Sequence, residues 1–214
     1  MEANMKKIIT LVCVAFLGTL AFANENQTYV TAAYNFALFT ERGDNARTEI
    51  VSHGIDLSVS TYFNQNWGLY LNTGYYFPSK TTTTSGGSTV TLTSSDWDFS
   101  MYISMILGPS YRYSITKDFE VFGGLGIHFA EYSLKIGNIA SALVFSFGIG
   151  GDAGVRYAFT DNFYVTGGLI FSHDFLGFGE ATTIYGTTKQ SGSYNLGSIR
   201  PYIGVGVRYK SLLM

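Results

Sequence analysis

The sequence predicts an all-β protein, an eight-stranded antiparallel up-and-down transmembrane β-barrel, from three observations. A polar turn between alternating strands occurs three times, charged residues are scarce, and the central part of the apolar face of each predicted strand carries no charge. Charged residues make up only 13% of the chain, whereas a soluble surface has roughly 25–35%. Because a membrane barrel spreads its apolar residues over every second position, this composition favours it over a soluble fold.

The repeated turn lies within residues 61–72, 113–124 and 157–168. Each copy runs from a strand that ends in an aromatic residue or Ile, through three polar residues, to an aromatic residue that starts the next strand. The turn residues are mostly Asn, Asp and Thr, whose side chains hydrogen-bond their own backbone. The repeat therefore predicts a series of β-hairpins, each closed by one short turn.

The first 23 residues predict a secretory signal peptide, which leaves residues 24–214 as the barrel domain. Lys6 and Lys7 precede an apolar segment, and the small residues Ala21 and Ala23 form a cleavage pattern. The apolar segment is shorter than the roughly 20 residues that a membrane-spanning helix needs. Cys13, the only cysteine, lies inside this segment, so we expect no disulfide and no thiolate metal site in the mature chain.

Eight alternating segments follow the signal peptide, and successive side chains in each segment point to opposite faces. They lie near residues 28–40, 49–63, 67–78, 97–115, 119–132, 141–159, 163–177 and 196–209. One face is apolar and has no charge in its central part, and the other holds most of the charges and is mostly Gly, Ser and Tyr. Since Lys or Arg facing mid-bilayer lipid costs about 2–4 kcal/mol, we expect the apolar face to meet lipid and the polar face to line the lumen.

The inward charges are expected to form a polar network that satisfies buried charge and locks the barrel, with a selectivity constriction as the alternative. The predicted lumen network consists of Asp56, Asp98, Arg112, Glu120, Asp152, Arg156, Asp174, Arg200 and Arg208. Inward aromatic side chains either fill the lumen or line a small amphipathic cavity. These candidate lumen aromatics are Tyr62, Tyr70, Tyr76, Tyr102, Phe122 and Tyr202.

The connections alternate between short turns and longer loops, which predicts turns on the periplasmic side and loops outside. The expected loops are residues 40–48, 78–96, 133–140 and 178–194. An even number of strands places both mature termini on the periplasmic side. Outward aromatic residues beside the turns predict a periplasmic girdle, made of Phe63, Trp67, Tyr113, Phe119, Tyr157, Phe159, Phe163 and Tyr209. A second aromatic set, which includes Phe39, is expected at the outer rim.

With its turn repeat and its last strand, residues 200–209, the chain resembles the small bacterial outer-membrane barrels of the OmpA, OmpX and OmpW type. The last strand looks like the assembly signal of that group, through the alternating residues Ile203, Val205, Val207 and Tyr209. The resemblance implies a place in the outer membrane. It also implies outer-membrane lipids, the barrel assembly machinery and periplasmic chaperones as partners. Similarity to OmpW-like barrels adds small hydrophobic solutes as possible cargo.

The leading functional hypothesis is a structural, surface-exposed barrel, and the alternative is a narrow passive channel for small hydrophobic solutes. A lipid-modifying enzyme is a distant third, suggested by Ser172 and His173, but adjacent strand residues point to opposite faces. His53, His128 and His173 are interpreted as interfacial residues. We expect no catalytic residue, no cofactor and no metal. The weakly acidic balance of charge also argues against nucleic acid.

Overall fold

The computed structural model describes residues 27–43 and 45–210, apart from the side chains of residues 190 and 210. These residues form nine β-strands: β1 (Gln27–Arg42), β2 (Ala46–Tyr62), β3 (Trp67–Ser85), β4 (Ser88–Thr93), β5 (Phe99–Ser114), β6 (Phe119–Ile136), β7 (Ala140–Ala158), β8 (Phe163–Thr183) and β9 (Gly186–Lys210). None of the described residues belongs to a helix long and apolar enough to cross a membrane, a finding that does not concern β-barrels. The predicted signal peptide lies outside the described residues.

Eight of these strands close into an antiparallel barrel, which confirms the predicted fold class. Each strand pairs with its neighbour along the chain, and β1 pairs with β9 from Gln27 opposite Lys210 onward. The ninth strand, β4, pairs only with the outer part of β3. Closure gives the backbone N–H and C=O groups of the wall hydrogen-bond partners in neighbouring strands, as a spanning structure requires.

Side chains alternate between the two faces of the barrel wall, as the two-residue period of a strand demands. Leu125 and Ile149 are each 59% exposed on the outside, and Ile203 is 70% exposed. On the inside, His128 and Arg200 have no exposed surface at all. The wall therefore presents an apolar outer surface and encloses polar and aromatic side chains.

Three short turns join β2 to β3, β5 to β6 and β7 to β8 at one end of the barrel, here called the turn end. In each turn the first polar residue accepts hydrogen bonds from the backbone N–H groups two and three residues later, at 2.8–3.3 Å. These acceptors are Asn64, Thr116 and Thr160. The prediction that turn side chains bond their own backbone is confirmed.

At the opposite end, here called the arm end, two of the predicted loops are paired strands instead. Residues 80–85 pair with β4, and β8 pairs with β9 out to Thr183 opposite Gly186. Gly86 and Gly87 have φ values of 57° and 81°, which suit the two-residue hairpin turn that brings the threonine-rich stretch back on itself. Because β-branched threonine favours strands, a polar tract with nothing to bury still forms an arm.

We predict that Thr116→Ala lowers the free energy of unfolding by about 1 kcal/mol, because two backbone N–H groups of the turn lose their acceptor. Thr116→Ser retains the hydroxyl and is expected to match the wild type. The measurement is urea unfolding of the barrel folded in lipid vesicles. Equal stability of the alanine and serine variants would show that the side-chain acceptor contributes nothing.

Candidate functional site

The interior of the barrel is the candidate site, because it collects the buried charges of the chain. Its side chains lie at three levels, with separate apolar clusters at the turn end, in the middle and at the arm end. The clusters are centred on Tyr29 and Tyr62, on Tyr70 and Ile106, and on Tyr76 with its neighbours. Charged side chains fill the space between these clusters.

At the turn end, a buried network surrounds Arg112 and Glu120, which approach each other to 3.6 Å across the β5–β6 turn. The Tyr29 hydroxyl donates a hydrogen bond to Glu120 at 2.9 Å and accepts one from Arg112 at 2.5 Å. Arg112 also donates through Nε to the carbonyl oxygen of Gln65 in the neighbouring turn, at 2.9 Å. The network ties β1, β5 and β6 to a turn, and we call it the turn-end network.

Arg156 completes the turn-end network mainly through aromatic rings. Its guanidinium carbon lies 3.7 Å from the ring centroid of Phe122 and 4.4 Å from that of Tyr29. It donates one hydrogen bond to the Tyr62 hydroxyl at 3.2 Å. Asp152, two inward positions away, accepts instead from the hydroxyl of Tyr202 at 3.0 Å. Stacking on rings is a favourable setting for a desolvated guanidinium.

At the arm end, a chain of hydrogen bonds begins at Asp56, whose carboxylate accepts from the Tyr76 hydroxyl at 2.8 Å. Arg200 donates to the same hydroxyl at 3.1 Å and to Ser104 Oγ at 2.7 Å. All four residues are buried. Arg200 on β9 is thus linked to β2, β3 and β5 across the lumen.

The series of hydrogen bonds continues from Ser104 Oγ to Nε2 of His128, at 3.0 Å. Nδ1 of His128 lies 2.5 Å from Oδ1 of Asp174, whose second oxygen accepts from Ser146 at 2.6 Å. Seven strands contribute one residue each to this arm-end network, which consists of Asp56, Tyr76, Ser104, His128, Ser146, Asp174 and Arg200.

Three sequence-based assignments are wrong. Asp98 is exposed, because it precedes β5 and lies outside the lumen. His128 is a fully buried lumen residue rather than an interfacial one, and its even number already places it in the inward register of β6 with Glu120. Phe39 is not at the outer rim, since it packs inside the barrel 4.3 Å from the ring centroid of Tyr102.

Arg208 lies at the edge of the predicted network rather than within it. It is half-buried, and its Nε donates to the carbonyl oxygen of Asp161 in the β7–β8 turn at 2.7 Å. Arg112 bonds the carbonyl of Gln65 in the same manner. Arg208 therefore fastens the last strand to a turn at the mouth of the barrel.

The predicted lumen aromatics all lie on the inward face. Tyr62, Tyr70, Tyr76 and Tyr102 are buried, and Phe122 and Tyr202 are half-buried. Rings occupy the space left by inward glycines: a Cβ on Gly124 would lie 2.5 Å from the ring of Tyr70. Sequence reasoning missed Tyr29 and Tyr164, which are equally buried and T-stacked at 5.5 Å.

The outward residues singled out from the sequence lie at the turn end or along β9. Phe119 is half-buried, and the other seven girdle residues are exposed: Phe63, Trp67, Tyr113, Tyr157, Phe159, Phe163 and Tyr209. Ile203, Val205 and Val207 line the outer face of β9, whose two neighbours are β1 and β8.

Between the two networks lies a cavity of about 10 Å³, lined in part by Asp56, Asn72, Asp152 and Arg156. That volume corresponds to roughly one water molecule. Within residues 27–43 and 45–210, no group of three or more His, Cys, Asp or Glu side chains is arranged to hold a metal ion.

The comparisons with known proteins agree with this architecture. The sequence model of the family described as "Outer membrane protein beta-barrel domain" matches residues 9–175. No curated protein matches the chain.

Similar solved structures include OprG from Pseudomonas aeruginosa, with a TM-score of 0.62 and 11% identity over 88% of this chain and 98% of that one. Neisserial surface protein A has a TM-score of 0.58 and 15% identity over 86% and 97% of the two chains. Ail, the attachment invasion locus protein of Yersinia pestis, has a TM-score of 0.50 and 14% identity over 87% and 100%. At these identities the likeness establishes the fold, whereas the match to residues 9–175 identifies the family. The chain belongs to the outer membrane protein β-barrel domain family.

Proposed function

We propose that this outer-membrane barrel has a structural and surface-exposed role. Its lumen is filled by side chains, and the β3–β4 and β8–β9 arms are exposed outside the cell. The supporting observation is the pair of buried networks that cross the interior at two levels. Between them the side chains leave a cavity of only about 10 Å³. The turn end, with both mature termini, faces the periplasm, and the arm end faces outward.

The lumen is held closed by the cost of leaving buried charge unpaired. Arg200 and Asp174 have no exposed surface, and each is hydrogen-bonded to neighbours in the arm-end network. Leaving a buried polar group without its hydrogen-bond partner typically costs about 1–3 kcal/mol, and more for a charged group. A solute passing through would have to part the arm-end network and then displace Arg156 from its two rings. These costs disfavour the alternative of a passive channel for small hydrophobic solutes.

Catalysis is disfavoured by the same burial. Ser104, His128 and Asp174 have the hydrogen-bonding order of a hydrolytic triad. However, Ser104 is only 1% exposed, and its oxygen accepts a hydrogen bond from Arg200. The other candidate pair is separated by the wall: Ser172 bonds Ser198 inside at 2.6 Å, and His173 faces outward. We therefore propose that these residues support the fold and perform no reaction.

The outer surface fits the partners implied by the membrane. Exposed Leu125, Ile149 and Ile203 meet outer-membrane lipids, and the aromatic residues beside the turns lie at the periplasmic boundary. The alternating outer face of β9 is read by the barrel assembly machinery after delivery by periplasmic chaperones. Ail is named for attachment and invasion and Neisserial surface protein A for its surface location. The proposed surface role of this chain is argued from its own arms and not from the names of these two proteins.

We predict that the wild-type barrel shows no steady ion conductance in a planar bilayer, and that Arg156→Ala alone remains closed because the arm-end network still blocks the lumen. Combining Arg156→Ala with Arg200→Ala is expected to produce a measurable conductance. Ile203→Ala, which changes only the outer face, serves as the control, and each variant is first checked for folding by its gel mobility. Steady conductance of the wild type would contradict the filled lumen.

The orientation predicts which positions react with a membrane-impermeant maleimide on intact cells. Cys13, the only cysteine, lies in the predicted signal peptide. A single cysteine substitution is therefore expected to be the only site in the mature barrel that the maleimide can label. Tyr185→Cys, at a site 93% exposed in the β8–β9 arm, is expected to be labelled. Lys117→Cys in a turn is expected to react only after the outer membrane is permeabilised. The reverse labelling pattern would invert the proposed topology.

The surface role predicts that replacing residues 80–93 by a short Gly-Ser linker leaves the barrel folded but reduces attachment of expressing cells to protein-coated surfaces. The same replacement of residues 178–192 identifies which arm carries the effect. Adhesion counts and outer-membrane permeability are measured for both. If both variants attach as well as the wild type, the surface role is wrong.

A further inference from the structure

Among the described residues, β4 has no neighbouring strand on one of its two sides along its whole length. It pairs with β3 from Lys80 opposite Thr93 to Ser85 opposite Ser88, and stands last in the strand order of the sheet. Both edges of the other described strands are paired over at least part of their length. An unpaired edge presents a row of backbone N–H and C=O groups that can hydrogen-bond another chain. The arm-end sheet therefore carries an open edge on a part of the chain that the proposed orientation places outside the cell.

The hairpin geometry defines which backbone groups are free. Across a two-residue turn, Ser85 and Ser88 form a hydrogen-bonded pair, and the pairs then alternate along the ladder. The side chains of Thr89 and Thr91 accordingly approach their partners on β3 closely, with Oγ1–Oγ1 distances of 3.1 and 3.4 Å. This proximity is the property of non-hydrogen-bonded pairs. The backbone groups of Thr89, Thr91 and Thr93 therefore point to the open side.

One end of this edge is already occupied by Asp96. The N–H of Thr93 donates to Oδ2 of Asp96 at 2.7 Å, and the carbonyl oxygen of Thr93 accepts from the Asp96 N–H at 2.9 Å. Thr89 and Thr91 are left with two N–H and two C=O groups on the open side. That number suits a short extended segment of three paired residues.

The sequence of β4 lacks the features that usually protect an edge. Residues 88–93 read Ser-Thr-Val-Thr-Leu-Thr, with no charge, proline or glycine and no register shift against β3. Natural edges are commonly blunted by lysine, proline or a bulge. The outer part of β9, which is also free on one side, contains Lys189 and Gly192, and a register shift against β8 separates it from the rest of the strand. Compared with the outer part of β9, β4 is the edge suited to strand addition.

We propose that the free edge of β4 binds an extended segment of a foreign polypeptide by antiparallel strand addition, with a basic residue of that segment beside Asp96. The inference rests on the proposed surface role, because it requires the arm to be outside the cell. Four backbone hydrogen bonds to Thr89 and Thr91 fix the register, and side-chain contacts select the sequence.

Two side chains define the preferred segment. Asp96 is exposed, and hydrogen bonds from the backbone N–H and the hydroxyl of Thr93 lower its pKa, so it remains charged. In an antiparallel pair, this carboxylate lies at the N-terminal end of the incoming segment. Val90 is 60% exposed between the two bonding residues, and favours an apolar residue opposite it. The preferred order is basic, any residue, β-branched, apolar, β-branched.

A second copy of this chain in the same membrane is a poorer occupant. Two copies share one outward direction, so rotation about the membrane normal leaves their β4 strands running the same way. Regular antiparallel pairing between them is therefore excluded. Self-pairing would also bring two Asp96 carboxylates to the same edge.

The test uses the full mature chain in lipid nanodiscs and a peptide probe with the core Lys-Leu-Thr-Val-Thr. Binding is followed by chemical-shift changes and slowed hydrogen exchange at the amides of Thr89 and Thr91. Thr91→Pro removes one free N–H without touching the β3 ladder, since proline is tolerated where the N–H faces solvent. Thr91→Val is the matched control that retains the N–H.

We expect Thr91→Pro to weaken binding about tenfold and Thr91→Val to leave it nearly unchanged. N-methylation of the two peptide threonines is expected to abolish binding, and Asp96→Asn to remove the preference for lysine over glutamate in the peptide. No binding to the wild type, or equal binding to both Thr91 variants, overturns the proposal. So does β4-dependent dimerisation of the protein in place of peptide binding.

Failure here is distinguishable from failure of the surface role. If replacing residues 80–93 abolishes attachment of cells and Thr91→Pro does not, the arm acts at the surface by another contact, and only strand addition is wrong. If neither change affects attachment, and replacing residues 178–192 has no effect either, the surface role itself is wrong.

Discussion

A charged side chain inside a narrow barrel must find its partners within the barrel, because bulk water and distant counter-ions are excluded. This constraint explains why the interior is a connected network rather than a collection of polar residues. Arg200 reaches two hydroxyls, and Asp174 holds both His128 and Ser146. The contacts of Arg200, and the contact of His128 with Asp174, join strands that are not neighbours in the wall. The network therefore fixes the relative height of strands that do not touch through their backbones.

Space for these contacts comes from glycine. The rings of Tyr164 and Tyr70 and the hydroxyl of Tyr202 lie against inward glycines of other strands, where an added Cβ would clash with them. The rings of Phe122, Tyr29 and Tyr164 in turn surround the guanidinium of Arg156. A barrel of eight strands is just wide enough for side chains to fill it. Filling it in this way requires small residues on one strand opposite large residues on another.

The strand periodicity and the turn repeat predicted the fold class, the capped turns and the inward register of most network residues. They did not predict which residues meet across the lumen, because the contacts of Arg200 with Tyr76 and Ser104 depend on closure between the first and last strands. The sequence analysis placed Asp98 in the lumen because the alternating pattern does not mark the residue at which a strand begins. Asp98 lies just before β5 and still fits the inward register of that strand. The arm formed by β4 was read as a loop because its threonines bury nothing, although backbone pairing alone is enough to extend a hairpin.

The most direct measurement of the central claim is magnetisation transfer from lipid acyl chains to methyl groups in nanodiscs. Ile203 and Val205 face outward, whereas Ile106 and Ile170 are buried inside the barrel. The account predicts strong transfer to the first pair and none to the second. Strong transfer to Ile106 and Ile170, with Ile203 and Val205 shielded, would mean that the two faces of the wall are exchanged and would contradict the account.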